Sequence, residues 1–345
     1  MNIRWAVVGS GGIARRRTIP EGIMQAPGCT LAAVYDVNQQ ANREVAKQFG
    51  AAACDSEESL LARRDVDAVY IATPAGAHCR QVLSAVQAGK HVLCEKPLGM
   101  NVQEAESLVQ ECRKAKVKLA VDFMMRFHAY HRHAARMIEE GRLGRTVLGR
   151  AQLSCWYPPI AGAWRQDPAL GGGGSLIDMG GHCLDLLEMF LGRVARVTCY
   201  ARNLVHAYAS EDTAVVMAEF AGGAVGFVDA CFNIPDAASL NRLELYGSKG
   251  SIQAKGTIGQ GGGGQMILRA EAQDGYQAAQ ARQSGDGVAV DVPTVNLYKA
   301  QMEDVSAAIR EDRPLLCDAE AGLWSQKVLA ACYESSRTRR AVDVA

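Results

Sequence analysis

The stretch Gly9-Ser10-Gly11-Gly12-Ile13-Ala14 decides the fold of this 345-residue chain. It fits the pattern G-x-G-x-x-G/A, follows an apolar run at 3–8 that predicts a buried strand, and opens a predicted helix over 13–26. An acidic residue, Asp36, ends the next predicted strand 22 positions after Ala14. Gly9 permits the tight turn, Gly11 lets the backbone approach a pyrophosphate, and Ala14 lets helix and strand pack closely. The stretch therefore predicts a dinucleotide site at a helix N-terminus.

Strands and helices alternate through the first third of the chain. Further strands are predicted at 30–35, 67–72, 90–94 and 117–122, and helices at 38–49, 77–88 and 101–115. Strands that alternate with helices of this length indicate βαβ units and a parallel sheet. We therefore predict a Rossmann dinucleotide-binding domain over residues 1–122, with a doubly wound parallel sheet.

The remainder of the chain, 123–345, has a different pattern. After a glycine-rich turn, one helix is predicted near 175–191, and strands follow at 194–206, 212–220, 224–233, 240–247 and 250–254. Short turns separate these strands, which is typical of antiparallel pairing. Helices near 297–311 and 319–336 close the chain. This predicts a C-terminal α+β domain for substrate binding and oligomerisation, built on a large, mostly antiparallel open sheet. Residues 259–264 are predicted to be a mobile loop or hairpin tip, and 271–290 to be irregular.

Composition excludes several classes of partner. The 37 Lys and Arg residues balance 37 Asp and Glu residues. We expect no nucleic-acid partner, because domains that bind nucleic acid usually carry a basic excess. No stretch approaches the roughly 18 apolar residues of a membrane span, and no signal peptide is evident. The 11 cysteines include no C-x-x-C pair, which indicates buried thiols in a reducing cytoplasm and no metal site.

Asp36 favours NAD over NADP as the cofactor. Its carboxylate would accept hydrogen bonds from both hydroxyls of the adenine ribose and would repel a 2′-phosphate. The next residues, Val37 and Asn38, include no arginine that would hold such a phosphate. The run Arg15-Arg16-Arg17 leaves two interpretations open: a solvated first helical turn, or an arginine that reaches a phosphate.

Three further segments carry side chains suited to catalysis. Thr73-Pro74-x-x-x-His78 and Glu95-Lys96-Pro97 each follow a predicted strand, at the sheet edge where ligands bind in open α/β folds. In the third, four glycines at 171–174 precede Asp178 and His182, which are spaced i,i+4 and share one face of a helix. A histidine base and a lysine ammonium at one hydroxyl are chemically complementary. The alternatives are a surface lysine at a strand end and a capping or core Asp–His pair, because spacing does not show that these residues meet.

These segments, in this order, resemble the Gfo/Idh/MocA family of oxidoreductases, which includes glucose–fructose oxidoreductase and inositol dehydrogenase. The resemblance covers nearly the whole chain, and Glu95-Lys96-Pro97 together with G-G-G-x-x-x-D-x-x-x-H carries most of it. It implies that Lys96 binds the reacting hydroxyl, His182 acts as acid and base, and Asp178 contacts the substrate. It places Thr73, Pro74, His78 and Glu95 around the cofactor. It also places Arg126, in Met124-Met125-Arg126-Phe127, at the nicotinamide end.

Two patches resemble the anhydrofructose reductase branch of this family. They are Tyr157-Pro158-Pro159 with Gly162-Ala163-Trp164-Arg165, and Asn296-Leu297-Tyr298. The resemblance adds Tyr157, Trp164, Arg165 and Tyr298 to the candidate substrate-binding residues; packing roles for them stay open. The chain departs from that branch at Asp36, because the reductase prefers NADPH and lacks an acid there.

The sequence thus predicts an NAD-dependent dehydrogenase that acts on a secondary hydroxyl of a sugar, polyol or glycoside. Two alternatives remain: a glycoside hydrolase or lyase that oxidises its substrate transiently, and a non-catalytic NAD-sensing regulator. A broad antiparallel sheet with one free face predicts a homodimer or homotetramer formed through the C-terminal domain.

Overall fold

The computed structural model describes residues 2–270 and 287–345. Its strands form two sheets, one of six strands and one of nine. The strands are β1 (Ile3–Val8), β2 (Cys29–Tyr35), β3 (Ala52–Ala53), β4 (Ala68–Ile71), β5 (His91–Cys94), β6 (Leu119–Val121), β7 (Thr146–Ser154), β8 (Val194–Arg202), β9 (Thr213–Phe220), β10 (Val225–Cys231), β11 (Arg242–Gly247), β12 (Gly250–Lys255), β13 (Gln265–Ala270), β14 (Val288–Ala289) and β15 (Val342–Asp343).

The helices are of three kinds. The α-helices are α1 (Gln39–Phe49), α2 (Glu57–Leu61), α3 (Ala75–Gln87), α4 (Val102–Ala115), α5 (Ala129–Glu139), α6 (Pro168–Gly171), α7 (Gly181–Leu191), α8 (Leu297–Glu311) and α9 (Ala319–Thr338). Two π-helices cover Ala14–Ile23 and Leu176–Gly180, and short 3₁₀ turns cover Met124–Phe127, Trp164–Gln166 and Asp236–Ala238.

The six-stranded sheet has the order β3-β2-β1-β4-β5-β6, and its neighbouring strands run parallel. Strands β1 and β4 are almost entirely buried, as expected of parallel strands covered on both faces. The strand order reverses between β1 and β4, so the carboxyl ends of these strands border the crevice where doubly wound folds bind ligands. The predicted Rossmann sheet is confirmed.

The nine-stranded sheet has the order β14-β13-β12-β11-β7-β10-β9-β8-β15. Among the described strands of this sheet, β7 and β10 are the one parallel pair, and the other neighbours are antiparallel, as predicted. Helix α7 packs on one face. A Cβ on Gly149 would come within 2.9 Å of side-chain carbons of Leu187 and Leu191, so glycine is needed for this close approach.

Several elements differ from the sequence prediction. The sequence pattern does not predict β7, because Gly149 and Arg150 interrupt its apolar run, and it does not predict α5. The strand predicted at 194–206 ends at Arg202, because the Asp212 carboxylate accepts hydrogen bonds from the backbone of Leu204 and Val205 and holds them in a loop.

The polar region that was expected to be irregular lies mostly outside the described residues. Of the range 271–290, residues 271–286 are not described, while 288–289 form β14 on the edge of the sheet. The glycine cluster at 259–264 lies in the loop between the antiparallel strands β12 and β13, which makes it a hairpin tip. A Cβ on Gly262 would lie 2.1 Å from the carbonyl oxygen of Val295, so this glycine permits a close backbone approach.

The chain divides into two compact units. The first contains Met1–Met124, Gly162–Gly173 and Asn296–Ala330, and the second contains Met125–Ala161, Gly174–Val295 and Ala331–Ala345. The first break in the chain falls close to the boundary expected after residue 122. Two later segments return to the first unit, however, so the units are not two continuous halves.

Candidate active site

The predicted dinucleotide turn connects β1 to the π-helix Ala14–Ile23. Gly9 has φ +82° and donates its N–H to the carbonyl of Tyr35, at 2.9 Å. A Cβ on Gly9 would lie 2.9 Å from the carbonyl oxygen of Ala72, so the turn passes close to the residues that follow β4. Gly12 has φ +49°, and a Cβ there would meet no atom within 4 Å. The turn is therefore tight on its sheet side and open at Gly12.

Asp36 lies at this turn. One of its carboxylate oxygens accepts the Gly11 N–H at 3.0 Å, and the other accepts the Asn38 N–H at 2.9 Å. Ser10 is fully buried, and its N–H and that of Gly9 both reach the carbonyl of Tyr35. The structure thus brings the glycine turn and the acid at the end of β2 together, as the spacing of the motif predicted.

The three consecutive arginines after the turn have partners within the first unit. Arg15 pairs with Glu44 at 3.2 Å, and Arg17 pairs with Glu21 at 2.5 Å. The Arg16 guanidinium donates to the Gly12 carbonyl at 3.1 Å. These contacts favour the interpretation of a first helical turn whose charges are paired or solvated.

His78 connects the two loops that follow β4 and β5. Its Nε2 lies 2.8 Å from the Thr73 carbonyl and its Nδ1 lies 2.8 Å from the Pro97 carbonyl. The ring is buried, and burial lowers its pKa despite the two carbonyls, which favour the protonated form. Because both ring nitrogens are engaged, His78 shapes these loops, while Thr73 is further held by Gln81.

A cluster of titratable groups surrounds the Glu95-Lys96 segment within the first unit. The Tyr70 hydroxyl donates to Glu95 at 2.7 Å and accepts from Thr18 at 3.1 Å. Asp122, which follows β6, is buried, and burial together with the nearby Glu95 charge raises the pKa of its carboxyl well above the ordinary value. The positive charge of Lys96 opposes this rise.

Three of the candidate substrate residues in the first unit are packed against neighbouring side chains. Tyr298 is buried at the start of α8, with the Arg17 guanidinium 5.6 Å from its ring centroid. Burial and the charges of Asp122 and Glu95 raise the pKa of its hydroxyl. The Arg165 guanidinium stacks over the Trp164 ring, 4.2 Å from its centroid.

In the second unit, Asp178 and His182 lie on two successive helical segments. Asp178 is in the π-helix Leu176–Gly180, and His182 is in α7, which follows directly. Among residues 176–187 these two are the ones that are not buried. The predicted shared face therefore exists as a polar strip on a helical segment that is otherwise buried through residue 187. π-Helical turns of this kind often occur at functional sites.

Arg126 forms an ion pair with Asp185 on α7. The two hydrogen bonds measure 2.9 and 2.6 Å, and the Asp185 side chain is only 2% exposed. Burial raises the pKa of Asp185, and the guanidinium opposes that rise. The pair anchors α7 one turn beyond His182.

Tyr157, also in the second unit, packs its ring against that of Phe232, with the ring centroids 5.0 Å apart.

Several residues of these sites were not found from the sequence. Tyr70, Asp185 and Glu211 hydrogen-bond to Glu95, Arg126 and the 174–176 segment, respectively, and these partners lie 25 or more positions away along the chain. The charges of Glu95 and Lys96 affect the pKa of Asp122. The acid just before the Met124-Met125-Arg126-Phe127 segment was the one available signal. Within the described residues, no cluster of three metal-ligating side chains occurs and no helix is suited to span a membrane.

Comparison with known families agrees with the geometry of the fold. Residues 3–123 match the model of an oxidoreductase family with an NAD-binding Rossmann fold. Residues 131–253 match the model of the GFO/IDH/MocA C-terminal domain. The class that the sequence predicted, an NAD-binding dehydrogenase acting on CH–OH groups, is thereby confirmed. The chain belongs to the Gfo/Idh/MocA family of oxidoreductases.

Characterised relatives match most of the chain. It is 28% identical over 345 residues to 1,5-anhydro-D-fructose reductase from Ensifer adhaerens, covering 99% of this chain and 98% of the relative. It is 30% identical over 254 residues to myo-inositol 2-dehydrogenase from Thermotoga maritima, covering 72% and 74%. The crystal structure of aldose-aldose oxidoreductase from Caulobacter crescentus aligns with a TM-score of 0.88 at 24% identity, over 99% of this chain and all of that one.

Proposed function

We propose that this protein oxidises a secondary hydroxyl of a sugar, polyol or glycoside, with NAD as the preferred cofactor. The observation that carries the proposal is the polar strip of Asp178 and His182 on a helix that is otherwise buried through residue 187. The relatives named above are a reductase and a dehydrogenase of sugar-like substrates, which supports this substrate class.

The roles proposed for the catalytic residues follow the chemistry of their side chains. The hydroxyl proton passes to the His182 imidazole, the C–H bond breaks with its electron pair, and a carbonyl forms. The Lys96 ammonium stabilises the developing negative charge on oxygen. Asp178 accepts a hydrogen bond from the substrate. The nicotinamide ring, when bound, would accept the hydride at C4.

The residues of the first unit fit a dinucleotide. Gly9 and Gly12 have left-handed backbone conformations, space lies above Gly12, and the Asp36 carboxylate is held beside Gly11. We propose that Gly9–Ala14 hold the pyrophosphate and that Asp36 binds the ribose hydroxyls, which favours NAD over NADP. Thr73, Pro74, Glu95 and the buried His78 shape the loops on the nicotinamide side.

Further residues are proposed to bind the sugar. The stacked Trp164 and Arg165 offer an apolar face for a sugar ring and a cation for its oxygens. Tyr157 belongs to this set through the family resemblance. Tyr298, buried beside Arg17 at the start of α8, is proposed to hydrogen-bond the substrate through its hydroxyl.

We propose that the chain forms a homodimer or homotetramer through the open face of the nine-stranded sheet. Tyr200, Met217 and Phe227 are 55%, 55% and 36% exposed on neighbouring strands of that face, and Met217 pairs directly with Phe227. An apolar patch of this kind is costly in water and usually marks an interface.

The 11 free cysteines, mostly buried, support the proposed cytoplasmic location.

The function is tested by NADH formation with a panel of sugars, polyols and glycosides. Lys96→Ala and His182→Ala should each lower kcat by about 10²–10⁴-fold, because general acid–base and electrostatic groups contribute that much. His133→Ala, which removes another half-buried histidine of the second unit, is the matched control. Turnover by both catalytic variants within about threefold of wild type would contradict these roles. Tightly retained cofactor without net NADH release would indicate the hydrolase or lyase alternative instead.

A further inference from the structure

The helical segment that carries Asp178 and His182 is fixed at its start by one acidic residue, Glu211. Glu211 lies just before β9, and one oxygen of its carboxylate accepts the Gly174 N–H at 2.8 Å and the Leu176 N–H at 3.0 Å. Its backbone carbonyl accepts the N–H of Ser175 at 3.0 Å. Three consecutive backbone N–H groups, 174 to 176, therefore bond to this single residue.

These bonds fall where a helix most needs partners. The first N–H groups of a helix have no acceptor within the helix, and a carboxylate there is favoured by the helix dipole. Here the acceptor is a residue just before β9, more than 30 positions away along the chain, instead of a local capping residue. The position of the π-helix Leu176–Gly180 is thus set by the sheet, and Asp178 and His182 follow within about two turns.

Tyr333 on α9 completes this arrangement. Its hydroxyl donates to the same Glu211 oxygen at 2.9 Å. Burial and the adjacent carboxylate raise the pKa of Tyr333 well above its usual value, so the hydroxyl keeps its proton and remains a donor. A Cβ on Gly174 would lie 2.0 Å from the Glu211 carbonyl oxygen, which shows how closely the segment is pressed against this residue.

The opposite end of the segment is fixed independently. Arg126 binds Asp185 on α7, one turn beyond His182, through two short hydrogen bonds. The polar strip therefore lies between two anchors, of which Glu211 is the nearer to Asp178. Neither Glu211 nor Tyr333 belongs to the strip itself.

We propose that Glu211, oriented by Tyr333, is a positioning residue that sets the placement of Asp178 and His182 for catalysis. This inference rests on the proposed function, because it assigns Glu211 a role only through His182 and Asp178. A displacement of about 1 Å at a reacting group costs roughly 10²-fold in rate, so loss of the anchor should appear in turnover.

The test uses Glu211→Ala, Glu211→Gln and Tyr333→Phe in the full-length protein. Glu211→Ala should lower kcat by about 10–100-fold, as loss of alignment does, with the Kd for NADH within about twofold of wild type by fluorescence titration. Glu211→Gln keeps an oxygen acceptor and should recover most of that loss. Tyr333→Phe should give a smaller decrease. Ser335→Ala is the matched control, because Ser335 is also a buried, hydrogen-bonded hydroxyl of α9 but bonds the Cys199 backbone instead.

A second measurement does not depend on turnover. Hydrogen exchange at the amides of residues 174–176 should accelerate in Glu211→Ala and stay close to wild type in Ser335→Ala. If Glu211→Ala does not fold, the same comparison is made with Glu211→Gln, expected close to wild type, and Tyr333→Phe, expected to exchange faster.

The outcomes separate this inference from the proposed function. If His182→Ala abolishes turnover while folded Glu211→Ala keeps wild-type kcat, the positioning role is wrong. A lower melting temperature with unchanged kcat per folded molecule would likewise overturn it and leave a structural role. If His182→Ala itself keeps wild-type turnover, the proposed function is wrong and the positioning role is overturned with it.

Discussion

Gly174→Ala is the substitution that most directly tests how the segment that carries Asp178 and His182 packs. The new Cβ would lie 2.0 Å from the carbonyl oxygen of Glu211 and 2.9 Å from the Cβ of Ser210. Ordinary contacts between such atoms need about 3.5 Å, so the segment must move by roughly 1.5 Å. That movement would break the bonds from Gly174, Ser175 and Leu176 to Glu211, which now measure 2.8, 3.0 and 3.0 Å.

The expected cost of this substitution combines two effects. Overpacking against a backbone atom costs about 1–3 kcal/mol. Each hydrogen bond lost contributes about 1 kcal/mol, and water replaces part of it at the partly buried Glu211. We therefore expect the free energy of unfolding of the second unit to fall by about 3 kcal/mol. Turnover should fall as well, because the same movement displaces Asp178 and His182.

Urea denaturation followed by far-UV circular dichroism measures the change. Two compact units need not unfold in one transition, so hydrogen exchange of the peptide covering β9 and β10 reports the second unit separately. Gly261→Ala is the matched control, because a Cβ at Gly261 meets no atom within 4 Å and its φ is not left-handed. If both variants unfold within about 0.5 kcal/mol of each other, the close approach at Gly174 does not constrain the protein.

Three further predictions concern other parts of the chain. Asp36→Ala should lower the ratio of kcat/KM for NAD to that for NADP by about 10–100-fold, since hydrogen bonds to a charged group contribute about 1.5–3 kcal/mol; an unchanged ratio in steady-state kinetics would refute the assignment of Asp36. Asp67, which accepts three hydrogen bonds of 2.8 to 2.9 Å from Arg4, has a lowered pKa mainly because of that arginine. Its contribution to stability is therefore complete above the unfolded-state pKa of about 3.9 and is lost as the pH falls through the lower folded pKa. Asp67→Asn should cost about 1 kcal/mol at pH 7, and urea titrations at several pH values should show this difference vanish in acid. Phe227→Asp, on the open sheet face, should shift the protein to monomer in sedimentation velocity at micromolar concentration, whereas Lys255→Asp, near one end of a strand of the same sheet, should not.

Local sequence patterns predicted most of the regular structure. The alternation of short apolar runs with helices indicated the parallel sheet, and α8 was expected at the residues where it occurs, 297–311. These predictions succeed because side-chain periodicity and turn residues act within a few positions. β7 was missed because Gly149 and Arg150 look unsuited to a strand, yet α7 requires the glycine for close packing.

The sequence likewise predicted only part of the candidate site. The sequence predicted two parts of the site, because each is a short motif with its own geometry. They are the glycine turn with Asp36 and the i,i+4 pair of Asp178 and His182. The sequence did not predict that Glu95 interacts with Tyr70 and Asp122, because these residues belong to separate strands and their ends.

What the sequence alone determined is the class of the protein: the dinucleotide turn, the alternating domain and the residue types suited to hydride transfer. Only the tertiary structure showed that Glu211 and Tyr333 hold the start of the segment with Asp178 and His182, that Arg126 binds Asp185, and that His78 is engaged by two carbonyls. The physical reason is that hydrogen bonds between distant segments form only after the sheet order has brought those segments together, and no local periodicity encodes that order.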